Sequence, residues 1–136
     1  MEASHYEFMN MSSIHEITKV AQDNPFYKKQ WFQSYNVDLF VWTNADKEVI
    51  GFDFVYDIKD SEKAFIWSKV NGFSHVKVDS NTPKGLLKMS PIYLGEYDCN
   101  LDYIMNLFKK ECKDLPKDYY DFIYGKMYEY QYLHFD

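Results

Sequence analysis

The chain has 136 residues, 46% apolar and 26% charged, which suits one folded domain and excludes wholesale disorder. Its cations are 15 lysines with no arginine, against 21 acids, for a net charge of −6. Without a guanidinium fork or a basic stripe, phosphate and nucleic-acid recognition are disfavoured. Aromatics reach 20%, and the acidity is concentrated in residues 96–136, where 5 lysines face 9 acids.

Residues 1–11 show no period and read as a loose N-terminal arm without the apolar stretch of a signal peptide. Ser13-Ile14-His15-Glu16 has the form of a capping box. Ile14, Ile17, Val20 and Ala21 follow at helical spacing, predicting a short helix over 13–22 ended by Asn24-Pro25. Residues 26–32 fit either a second helix, with Asn24 as its cap, or a first strand.

From Val37 the pattern is β. Residues 37–42 are apolar on both faces apart from Asp38, as in an interior strand. A turn over 43–47 leads to strict alternation, with Ile50, Phe52, Phe54, Tyr56 and Ile58 on one face and Gly51, Asp53, Val55 and Asp57 on the other. Residues 63–70 and 73–79 flank Asn71-Gly72, the dipeptide of a two-residue type I′ hairpin. Residues 37–79 are thus expected to form a four-stranded antiparallel meander. Residues 82–85 are a loop, and 86–94 supply a further edge strand interrupted at Pro91.

Two helices close the chain. Asp98 or Asn100 caps the first, which carries Leu101, Ile104, Met105, Phe108 and Cys112 on one stripe before Leu115-Pro116 breaks it. The second, over about 117–132, places Tyr120, Ile123, Tyr124, Met127, Tyr128 and Tyr130 on half its circumference, opposite Asp118, Asp121 and Glu129. The fold class is α+β: an antiparallel meander of four to five strands packed against two C-terminal helices, with a short N-terminal helix, as a single domain over 1–136.

Candidate chemistry is sparse. Asp53 and Asp57 share a strand face, but no calcium loop surrounds them, and a solvated face is the simpler reading. His75 is the one histidine on a firm element, partly exposed, with Asp57 or Asp79 available to orient it as an acid or base. No zinc spacing and no glycine-rich phosphate loop occurs, so no metal and no cofactor is expected. Cys99 and Cys112 read as structural free thiols, which with the acidic N-terminus points to the cytoplasm. No apolar run suffices for a membrane helix. Tyr120, Tyr124, Tyr128 and Tyr132 recur every four residues; Tyr120, Tyr124 and Tyr128, with Trp42 and Trp67, are the candidate binding aromatics beyond those the core absorbs.

The segments Trp31-Phe32, Asp38-Leu39-Phe40-Val41-Trp42, Gly51-Phe52, Tyr56-Asp57, Trp67, Gly72-Phe73-Ser74-His75, Val78-Asp79 and Lys88-Met89-Ser90-Pro91-Ile92 resemble a family of small uncharacterised bacterial proteins across most of residues 31–92. The resemblance implies a stand-alone bacterial domain of unknown function. It carries over no catalytic residue, and it draws attention to Asp57 and His75.

The expected function is a non-enzymatic binding module that takes a protein partner or small ligand through aromatic and acidic surface. One form of it presents acids to a basic partner. The alternatives are a small enzyme built on His75 and a homo-oligomer that buries an aromatic sheet face. Neither nucleic acid nor membrane is an expected partner.

Overall fold

A computed structural model of the chain describes residues 13–79, 83–86 and 99–134. Six strands follow one another, β1 (His15–Ile17), β2 (Lys28–Gln33), β3 (Asp38–Thr43), β4 (Val49–Tyr56), β5 (Lys63–Ser68) and β6 (Gly72–Lys77). They lie side by side in chain order, each antiparallel to the next. Two helices follow, α1 (Leu101–Glu111) and α2 (Lys117–His134). The α+β class and the meander are as the alternation predicts, but the described sheet has six strands rather than four or five. The expected N-terminal arm and the strand expected over 86–94 lie outside the described residues, apart from Leu86.

The expected helix over 13–22 is absent. His15, Glu16 and Ile17 instead pair with Gln33, Phe32 and Trp31 as an edge strand. Ile14, Ile17, Thr18 and Val20 are β-branched and poor helix formers, and the free edge of β2 offers them backbone partners that an isolated turn of helix lacks. Asn24 caps no helix. Its side chain accepts from the Phe26 backbone N–H at 2.8 Å, making the turn that leads into β2.

Both faces of the sheet are buried. Leu39, Val41, Phe52, Phe54, Phe65 and Trp67 face the helices and meet Ile104, Phe108, Cys112, Ile123 and Met127. Phe40, Trp42, Val55, Ala64, Ile66 and Val76 form a second core on the opposite face. The register shift at Trp42/Thr43 splits the expected row of β4 residues, leaving Val49 in the helix-side core and Ile50 in the other. The β5–β6 connection also departs from the two-residue expectation. Ser68 pairs with Gly72, so the loop is Lys69-Val70-Asn71, and Gly72 alone takes the left-handed conformation with φ +74°. A three-residue loop followed by such a glycine preserves the twist of the hairpin.

Asn100 caps α1, accepting from the Tyr103 backbone N–H at 3.1 Å. In its last turn Glu111 is buried and accepts from the Ser34 hydroxyl at 2.6 Å and the Asn36 amide at 3.3 Å, tying the helix layer to the β2–β3 turn.

On the second face a buried carboxylate organises the packing. Asp38 is 2% exposed and accepts from the Trp31 indole at 2.8 Å, the Gln33 amide at 2.9 Å and the Lys84 ammonium at 2.8 Å. Lys84 also reaches Glu62 at 2.8 Å. Burial alone would lower the Lys84 pKa, but its bonds to Asp38 and Glu62 outweigh that and hold it raised. Beside it Gly85 donates to Asp53 at 3.3 Å and accepts from Lys29 at 2.8 Å. Gly85 has φ +80°, and a Cβ there would lie 3.1 Å from the Phe40 ring, so only glycine lets this segment close down on the sheet. Removing a buried partner leaves polar groups unsatisfied, so Asp38→Ala is expected to cost about 3 kcal/mol in urea unfolding, and Lys84→Met, at a half-exposed site, about 1 kcal/mol. Equal losses for the two variants would show that Asp38 does not anchor this face.

Candidate functional site

His75 lies opposite Phe65 across the β5–β6 pair and is 3% exposed, not the partly exposed residue the pattern suggests. Its ring stacks on Tyr56 with centroids 5.9 Å apart, and a hydrogen bond joins Nε2 to the Tyr56 hydroxyl at 2.5 Å. Asp57 follows the last residue of β4 with φ +54°. That conformation ends the strand alternation and turns the carboxylate toward the helix layer. There it accepts from the Tyr103 hydroxyl of α1 at 2.7 Å and from Lys63 at 3.3 Å. The structure therefore gathers Tyr56, His75, Asp57, Tyr103 and Lys63 at one end of the sheet, but Asp57 is engaged by the phenol and the ammonium. Asp79 is exposed, two residues past the end of β6, and Asp53 faces the second core.

Burial pushes the Tyr56 phenol well above its ordinary value, and the neighbouring Cys99, Asp57 and Tyr103 add to the effect. Tyr103 is raised by its bond to Asp57 and then by burial. Burial also pushes the Cys112 thiol up, as befits a residue inside the α1 stripe rather than a nucleophile. Tyr56 and Tyr103 hold their protons tightly. The cluster is a wall of hydrogen-bonded aromatic groups. The clefts beside Trp31 and Phe40, beside Phe26 and Tyr27, and beside Tyr119 and Phe122 are lined by neither His75 nor Asp57. Among the described residues no group of His, Cys, Asp or Glu could hold a metal ion, and no helix is long and apolar enough to cross a membrane.

The aromatic candidates divide by depth. Trp42 is buried in the second core, and Trp67 is buried against Phe122, with the Lys126 ammonium 4.4 Å over its ring. Tyr120 and Tyr124 are half-buried and pack on Phe108, at 5.0 and 6.4 Å. Tyr128, expected on the apolar half of the helix, is 60% exposed, and Tyr132 is 78% exposed. Four residues advance a helix by slightly more than one turn, so the row winds from the core side onto the outer arc of α2. It meets the acids Asp121 and Glu129 there.

Sequence reasoning did not single out Tyr56, Tyr103 or Lys84. Tyr56 carried a signal, since a tyrosine on a buried strand face needs a polar partner for its hydroxyl. Tyr103 and Lys84 sit at ordinary exposed-looking positions and carried none. No family model, curated protein or solved structure matches the chain.

The raised phenols and thiol give a pH prediction. Their folded pKa values exceed the unfolded ones, so the stability they contribute is complete below the unfolded values and is lost as pH rises past them. The urea midpoint is expected to fall as pH is raised from about 9 to 11, and less steeply in Tyr56→Phe. An alkaline midpoint equal to that at neutral pH would contradict the placement of these groups.

Proposed function

We propose that the protein is a non-enzymatic binding module that recognises a basic protein partner through the outer face of α2. Gly125 carries this reading. It lies exposed in the middle of an 18-residue helix, and a Cβ there would meet nothing within 4 Å. Glycine inside a helix costs about 1 kcal/mol relative to alanine, and no packing among the described residues requires it. A backbone that a partner approaches closely does. Tyr128 and Tyr132 stand on the same arc, offering large, stiff contact areas with a polar tip, and the acids Asp121 and Glu129 share that arc, in exposed pairs with Lys117 and Lys126 that water screens. Acids so placed speed encounter with a cationic partner. Free cysteines suit a reducing cytoplasm. This reading is preferred to an enzyme built on His75 because that ring is buried against a phenol and the nearby carboxylate of Asp57 is already bound.

Immobilised protein challenged with an extract of its native host is expected to retain a basic protein at low salt and release it as salt rises. Tyr128→Ala/Tyr132→Ala is expected to lose that protein while unfolding within about 0.5 kcal/mol of the wild type, as exposed substitutions do. Retention by the double variant, or none by the wild type at low salt, would overturn the proposal. Gly125→Ala separates the two roles of the glycine: it is expected to stabilise the fold by about 1 kcal/mol in urea and weaken capture. Lost stability would mean that the fold itself needs glycine.

A further inference from the structure

At the other end of α2, away from Tyr128 and Tyr132, a cleft of about 820 Å³ opens between the start of the helix and the end of the sheet. Its floor follows from the register. Lys28 of β2 pairs with Thr43 of β3, which pairs with Val49 of β4, so three side chains form a row across the sheet at its helix-facing end. Tyr119 and Phe122 of α2 roof the row, Tyr119 fixed by a hydrogen bond to Gln30 and Phe122 by its edge contact with Trp67 at 5.4 Å. Gln30 lies on β2 and Trp67 in the helix-side core, so both anchors sit on the sheet and the roof is preformed. A cleft of this volume suits a small organic molecule.

Two features specify what it would take. Thr43 lines the cleft, and its hydroxyl bonds no other described group, so it is open to the cleft rather than sealed in the core. A hydroxyl open to a cleft can donate to a polar atom of a bound molecule. The charges at the rim are unequal. Lys28 and Lys47 form no ion pair among the described residues, whereas the nearby Glu48 is neutralised by Lys69 at 2.9 Å, leaving Asp118 as the opposing charge. Val49, Phe122 and the Tyr119 ring supply apolar walls. We propose that this cleft binds a small carboxylate with a ring-sized apolar body: the ring lies between Phe122 and Val49, and the carboxylate accepts from the Thr43 hydroxyl and the Lys28 and Lys47 ammonium groups. The site is separate from the outer face of α2 and does not depend on it.

The test is a titration of the full chain followed by amide correlation NMR, with 3-phenylpropanoate as the probe and its primary amide and 3-phenylpropylamine as controls. The carboxylate is expected to give saturable shifts at Thr43, Asn44, Val49, Tyr119 and Phe122, the amide to bind at least tenfold more weakly, and the amine to leave these resonances in place. Thr43→Val and Lys28→Gln/Lys47→Gln are each expected to weaken the carboxylate several-fold. Thr43→Val should unfold no more readily than the wild type, because its hydroxyl bonds no group among the described residues. Tyr128→Ala/Tyr132→Ala should bind the probe as the wild type does, which separates this site from the proposed partner face. The inference fails if the carboxylate gives no saturable shift at these residues up to roughly 10 mM. It fails equally if the amine binds as well, or if neither cleft variant weakens binding.

Discussion

Asp38 is the constraint around which the sheet is built. A carboxylate on an interior strand, covered on both sides, survives burial only if its oxygens are bonded, and here two neighbours on β2 and a lysine from a distant segment supply the donors. That need settles several things together. It sets β2 beside β3 in the register that puts Trp31 and Gln33 within reach, and it draws Lys84 across the second face. With Lys84 comes Gly85, which closes on Phe40 and satisfies Asp53. Apolar residues could fill the same volume with less stringent demands, so the charge contributes specificity of arrangement more than net stability.

The aromatic richness has a matching explanation. A sheet of short strands covered on both faces leaves two thin cores to fill, and rings fill them with few side chains. Phe54 against Phe108, Phe65 against Tyr130 and Trp67 against Phe122 meet edge to face, at 5.3 to 5.7 Å, which ties α1 and α2 to the middle strands. The rings to which we assign binding are those outside this scheme. Tyr128 and Tyr132 lie where α2 has turned its row away from the core, and the roof of the cleft uses flanks of rings whose other sides are packed.

Much of the fold was legible where a face is buried. Alternation along β4, the interior character of β3 and the stripe of α1 each report a side-chain environment that the residue types cannot escape. The errors fall where pairing partners, not residue types, decide. Residues 13–22 carry a helical pattern, yet the open edge of β2 captured three of them. The bulge at Trp42/Thr43 sent Ile50 to the opposite face from Phe52, and no periodicity announces a bulge. At the candidate sites, Asp57 was visible as a carboxylate near His75, but its positive φ turned it to Tyr103 instead.

Local chemistry by itself determined the class of the fold, the order of its strands from β3 to β6, and the two helices. These follow from periodicity and composition, which act residue by residue. Only the tertiary structure decided which polar groups would be satisfied and which left facing a cleft. Burial of His75 against Tyr56 and the bridging of Asp38 and Glu62 by Lys84 each depend on segments far apart in the chain meeting at hydrogen-bond distance. That outcome belongs to packing, because a side chain's partner is set by what the fold brings next to it and not by its neighbours along the backbone.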